Sequence, residues 1–266
     1  MHPIERLRFV ARSHGAPADL LVEEAAIALG AFRDDPAGMV AACRRIIDRQ
    51  LTCGPLWWLC ARILCAADPM LEAQDAVDAL RSDSTARRLA AALPEDATVV
   101  IHGAPEVTLA ALARRGDVTT LVVDVDGMSH DVVGLLERVD VIGEPVPARA
   151  TSAAVDQADL VLVEAMAAGP TGALVPAGAR AAASVASRAG VPVWLAAGVG
   201  RVMPEQMWGA LASRWSASIG PFDALEEVLA LDLVTWVADP DGLTEGVDAL
   251  GHADCPVAPE LLRLAG

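Results

Sequence analysis

His102, Asp124 and Glu164 are the side chains of this sequence best placed to move a proton, because each closes a short apolar run that reads as a buried strand. The runs are Ala97-Thr-Val-Val-Ile-His102, Thr119-Thr-Leu-Val-Val-Asp124 and Asp159-Leu-Val-Leu-Val-Glu164. In open parallel sheets, ligands sit beyond the carboxyl ends of the strands, so every strand exit is a candidate site. His102 and Glu164 form the pair of suitable type at adjacent exits, and Asp124 is the third candidate. A carboxyl such as Glu164 in an apolar setting can have its pKa raised toward the range that acid–base work needs. Gly103, Asp126, Thr171, Gly178, Arg180 and Arg201 are the candidate ligand-binding residues. Gly178 precedes an Ala-rich helical segment whose first N–H groups could receive an anion, with Arg180 or Arg201 supplying charge.

The elements that must position these groups follow from the periodicity. From Ala158 to Gly200 an apolar run, a small-residue loop (165–172), an Ala-rich helix and a second apolar run (191–198) make a βαβ unit around a sheet buried on both faces. Further strands are expected at 97–102, 119–124, 140–143 and 231–237, with helices at 106–115, 131–139, 148–157, 204–215 and 258–264 between and after them. Residues 1 to 92 lack strand alternation and read as successive helices at 17–30, 37–51, 55–66, from 68 and from 82. In the first of these, Leu20, Leu21, Ala25, Ile27 and Leu29 fall near one face. Trp57 and Trp58 are expected in the core, and Asp68-Pro69 has the form of a helix cap followed by proline at the first helical position. The fold class is therefore α/β: a helical domain over 1–92, then a doubly wound, mostly parallel Rossmann-like sheet over 93–266.

Composition removes several classes of function. The net charge of -16 disfavours nucleic acid and anionic membrane as partners. All 20 basic residues are Arg, so Schiff-base chemistry and a phosphate-loop lysine are excluded. The first exit loop, His102-Gly-Ala-Pro-Glu-Val107, lacks the glycine pattern of dinucleotide sites, and Glu106 would repel a pyrophosphate. Cys43, Cys53, Cys60, Cys65 and Cys255 contain no CxxC pair, which suits free thiols and a cytoplasmic compartment. The five histidines (His2, His14, His102, His130, His252) have no metal-ligand spacing, so neither a metal nor a cofactor is expected. No window is apolar enough to suggest a signal peptide or a membrane span.

The segment from Ala158 to Ala186 with Gly190-Val-Pro-Val-Trp194 resembles the signature stretch of one protein family. That family comprises the alpha, beta and delta subunits of the exchange factor for eukaryotic translation initiation factor two, with methylthioribose-1-phosphate and ribose-1,5-bisphosphate isomerases. The similarity covers residues 80 to 266 and includes Val257-Ala-Pro-Glu-Leu-Leu262, which looks like the family's terminal Pro-Pro-Glu-Leu. A helical N-terminal domain is also what the resemblance implies. The departures are specific. The family's Gly-Ala-Asp, which carries the isomerases' acid–base carboxylate, falls on Glu164-Ala165-Met166. Its Thr-His-Cys-Asn falls on Ile101-His102-Gly103-Ala104, so the thiol is lost. Its Asn-Lys-x-Gly-Thr falls on Val175-Pro176-Ala177-Gly178-Ala179, which keeps only the glycine, and its Glu-x-Arg-Pro arginine falls near Asp126.

Two functions follow as expectations. One is a non-catalytic member that binds a small phosphorylated or nucleotide ligand, or a protein partner. The other is an aldose–ketose isomerase rebuilt around His102 and Glu164. The resemblance also implies a homodimer. Trp208 and Trp215, seven apart on one helix face, suit either that interface or the core.

Overall fold

The computed structural model describes residues 3–13 and 15–262. His2 and His14, and the end of the helix expected to reach Leu264, lie outside the described residues. Six helices come first: α1 (Pro3–Arg12), α2 (Ala18–Leu29), α3 (Pro36–Arg49), α4 (Gly54–Cys65), α5 (Pro69–Arg81) and α6 (Thr85–Ala92). Local chemistry sets several of their starts. Asp35 and Asp68 each accept first-turn N–H groups, from Gly38 and from Met70 and Leu71, with proline next in the chain. The buried stripe of α2 runs through Leu21, Val22, Ala25, Ala28 and Leu29. Leu20 and Ile27, expected on that face, are exposed instead, because their positions lie about 100° to one side of the stripe that the neighbouring helices cover.

The second half alternates: β1 (Thr98–His102), α7 (Glu106–Leu112), β2 (Thr119–Val123), α8 (Ser129–Glu137), β3 (Ile142–Val146), α9 (Thr151–Val155) and β4 (Leu160–Glu164). A hairpin of β5 (Ala167–Gly169) and β6 (Gly172–Pro176) follows, then α10 (Ala179–Ala189), β7 (Val193–Ala196), α11 (Glu205–Ser218), β8 (Glu226–Leu229), β9 (Trp236–Ala238), β10 (Leu243–Glu245) and α12 (Pro259–Leu262). The main sheet has the order β10-β9-β7-β4-β1-β2-β3 and is parallel except for β10. Strand order reverses between β1 and β4, which is where doubly wound sheets open a crevice. At the edge, β3 carries Pro145, a residue that such a strand tolerates because it lacks a neighbour on one side.

Several segments depart from the expected elements. The stretch 165–172 is a strand pair rather than a plain loop, and with β8 it builds a three-stranded antiparallel sheet. Ala and Gly have low strand propensity, so tertiary packing makes this hairpin. At Gly169 an added Cβ would lie 2.4 Å from Trp208 Cγ, so only glycine lets the hairpin lie against α11. The run 231–237 splits into a short 3-10 turn at Leu231–Leu233 and the three-residue β9. Neither β8 nor β10 has an alternating apolar pattern to announce it.

The hairpin also joins the two halves. Ala167 and Leu174 pack into the helical core of Trp57, Trp58, Leu29 and Ile47, while Ala168, Ala173 and Val175 pack under α10. Met207, Trp208 and Leu211 of α11 belong to that same helical core. Trp208 is therefore a core residue, as is the partly buried Trp215 packed against it, and this face is not an open dimer surface. No helix among the described residues is long and apolar enough to cross a membrane.

Candidate functional site

Strand pairing decides which candidate groups meet. In β1, Val100 belongs to the core beneath α9 and α10, while Val99 and Ile101 belong to the core beneath α6, α7 and α8. With a side-chain period of two, His102 shares the α10 side with Val100. In β4, Val161 and Val163 face α10, so Glu164 faces α7 with Leu160 and Leu162. The pair expected to share a proton thus stands on opposite faces of the sheet, although β1 and β4 are hydrogen-bonded neighbours. Asp124 continues β2 with the parity of Val122 and so also turns to the α7 and α8 side. One crevice uniting His102, Asp124 and Glu164 is not formed.

Both carboxylates are engaged at helix starts. Glu164 is 5% exposed; one oxygen accepts the Thr108 N–H in the first turn of α7 at 2.9 Å, and the other lies 3.1 Å from Arg201 Nη2. Asp124 accepts the N–H groups of Ser129 (2.9 Å) and Gly127 (3.2 Å) at the start of α8. The Ser129 N–H is the leading cause that holds the Asp124 carboxyl below the usual aspartate range. Such groups supply acceptors to donors that a helix leaves unpaired at its N-terminus.

Arg201 is the centre of the α7 side. It is 7% exposed, donates from Nη1 to the Ala165 carbonyl at 2.8 Å, and reaches Glu106 at 3.5 Å as well as Glu164. Glu106 in turn accepts the N–H of Ala18 at the start of α2 at 3.0 Å. Partial burial raises the Glu106 pKa against the pull of Arg201 and the Ala18 N–H. One guanidinium therefore ties the β4 exit, the β7 exit loop, α7 and a helix of the N-terminal half. Asp83 adds a second tie, accepting from Thr85 at the start of α6 and from Val199 N in the same exit loop.

On the other face, His102 is 2% exposed and neither ring nitrogen has a hydrogen-bond partner among the described residues. An added Cβ at Gly178, which has φ +88, would lie 3.5 Å from its Cδ2, and one at Gly103 would come within 3.7 Å of Val125 and 4.0 Å of Pro176. Arg180, near the start of α10, is exposed and stands near Glu227, whose carboxylate accepts the Arg180 N–H at 2.8 Å. Thr171 lies at the opposite end of β6, accepting from Trp208 Nε1 at 2.9 Å, and Asp126 is exposed at φ 55. His102, Gly103 and Gly178 thus come together, Arg201 joins Glu164 on the other face, and Thr171 and Asp126 stand apart.

No family model and no characterised protein sequence matches the chain. Solved structures do. Translation initiation factor eIF-2B of Pyrococcus horikoshii OT3 superposes with a TM-score of 0.77 at 12% identity, covering 93% of this chain and 98% of that one. The eIF2B-beta2-delta2 tetramer from C. thermophilum gives 0.75 at 14% identity over 94% and 92%. 5-Methylthioribose 1-phosphate isomerase of P. horikoshii OT3 gives 0.64 at 13% identity over 92% and 84%. This chain has the initiation factor 2B fold.

Glu164 caps α7 and is tied to Arg201, and sequence reasoning missed that partnership. The signal was present: Glu106, read as a residue repelling phosphate, is the one that accompanies Arg201. The buried histidine of this initiation factor 2B fold has a measurable consequence. Desolvation pushes its pKa down from the ordinary 6.5 to about 4. The unfolded chain then binds the proton first, so stability is complete above about pH 6.5 and is lost as pH falls toward 4. Denaturant titrations should show about 2 kcal/mol less stability at about pH 5 than at about pH 8 from this residue alone. His102→Leu should flatten that interval; an unchanged slope would mean that His102 is protonated as readily in the folded state.

Proposed function

We propose that this chain is a non-catalytic binding subunit with the initiation factor 2B fold, assembling with a protein partner whose simplest form is a second copy of itself. The observation that carries this reading is the separation of His102 and Glu164 across the sheet, with Glu164 held by Thr108 N–H and Arg201. A general acid and base must both reach one substrate within hydrogen-bond distance, and groups on opposite faces cannot. An apolar surface for a partner exists elsewhere: Phe222 is 99% exposed, beside exposed Pro221 and Leu225. We place the protein in the cytoplasm, on the strength of five free cysteines.

A small phosphorylated ligand is the less supported half of the reading. Glu227 already occupies the start of α10, where a phosphate would need donors. The second reading, a sugar-phosphate isomerase with a rebuilt site, is favoured by the unpartnered His102 ring against Gly178. One experiment separates the two: sedimentation of the purified chain together with turnover assays on aldose 1-phosphates. A dimer without turnover is expected. Turnover that disappears in His102→Gln while the fold is retained would establish the isomerase instead, and a monomer throughout the micromolar range would remove the self-assembly.

A further inference from the structure

Two helices on the side of the molecule built by the N-terminal half present the same composite stripe. On α1, Ile4, Leu7, Arg8, Ala11 and Arg12 fall at i, i+3, i+4, i+7 and i+8, and so on one helix face; on α3, Ala42, Arg45, Ile46 and Arg49 fall at i, i+3, i+4 and i+7. The two stripes line a trough of about 610 Å³ together with Phe32. Its floor is the outer layer of the helical core, since Ile46 and Ala42 belong to that core and Leu7 and Phe32 pack against it. Its rim is four guanidinium groups with no carboxylate in the lining.

Four arginines gathered without a carboxylate in the lining make a cationic rim in an acidic chain. The whole protein is at -16, and eight of the fifteen described arginines outside this trough stand within ion-pair distance of an acid. Arg8 pairs with Glu5, whereas Arg12, Arg45 and Arg49 have no ion-pair partner among the described residues. Arg12 and Arg49 lie in the last turns of their helices, where carbonyl ends favour cations. Arg8 and Arg45 do not, so the dipole accounts for only half of the rim.

We infer that this trough binds a small amphipathic anion, specifically a single-chain carboxylate of the fatty-acid class, with the chain on the apolar floor and the carboxylate among Arg12, Arg45 and Arg49. The volume is within the range of about 300–1,000 Å³ typical of small-molecule sites, and an apolar lining with a few convergent polar groups is their usual make-up. Arg is suited to the task because its planar fork meets a carboxylate in bidentate fashion. An anion without an apolar body would leave the floor wet, and a neutral lipid would leave the guanidiniums unpaired. The inference does not depend on the function proposed above.

The test is fluorescence titration of the full chain with cis-parinarate, with displacement by dodecanoate below its micellar concentration and by dodecanol as the neutral control. Saturable one-to-one binding displaced by dodecanoate and not by dodecanol is expected. The double variant Arg45→Gln with Arg49→Gln, both exposed and so harmless to folding, should weaken binding by about tenfold or more. Leu7→Gln should weaken it independently through the floor. Equal displacement by dodecanol, or unchanged affinity in the double arginine variant, would overturn the assignment. So would association confined to phosphatidylglycerol vesicles or to an acidic helical peptide, since the trough would then be a docking face for a surface or a protein.

Discussion

Arg201→Met is expected to remove about 3–5 kcal/mol of folding stability, the cost of leaving a buried carboxylate without its cation. Arg201 and Glu164 have side chains only 8% and 5% exposed, and no other cation is within ion-pair distance of Glu164 among the described residues. The Ala165 carbonyl would lose its 2.8 Å donor in the same variant. In a chain of this size the loss corresponds to a fall of roughly 10 °C in melting temperature. Adding Glu164→Gln should recover most of it, because a neutral amide can still accept the Thr108 N–H and has no charge to leave stranded. A single variant within 1 kcal/mol of the parent would show that water reaches Glu164 and that the pair is not a structural tie. The same result would reopen Glu164 as an acid–base group, so this measurement bears directly on the proposed absence of catalysis.

Trp58→Ala is expected to cost about 3–5 kcal/mol as well, through a different mechanism. Its ring is fully buried in the helical core, its Nε1 donates to the Asp254 carbonyl at 2.7 Å, and the Arg62 guanidinium lies 4.8 Å from the ring centroid. The ring also supports the β7 exit loop. Gly200 has φ +74, and an added Cβ there would stand 3.0 Å from Trp58 Cε3. Removing the ring opens a cavity beside the residue that precedes Arg201, so the effect should not add simply to that of Arg201→Met. Urea unfolding followed by far-UV circular dichroism gives the value. A cost below about 1 kcal/mol would mean that the helices close over the space, and the loop is then held by Arg201 and Asp83 rather than by the core.

Much of the architecture was legible because it is written in local periods. The strands ending at His102, Val123 and Glu164 are continuous apolar runs between turn residues, and burial on both faces demands such runs. Among the N-terminal helices, α3 and α5 carry the side-chain caps Asp35 and Asp68, and α2 and α3 carry apolar stripes, so these could be recognised without knowing what they pack against. The hairpin at 167–176, by contrast, opens on Ala167-Ala168-Gly169 and turns back through Gly172-Ala173, residues of low strand propensity, and β8 to β10 are too short to show a period.

The residues themselves determined that His102, Asp124 and Glu164 would stand at strand ends, because chain continuity and burial fix where each strand stops. What the tertiary structure alone decided was which of them face one another. Parallel strands joined by long crossovers align through pairs such as Val99 with Leu160, far apart in the chain, and a step of one position turns a side chain to the other side. That is why the histidine came to rest against Gly178, while the glutamate met Arg201.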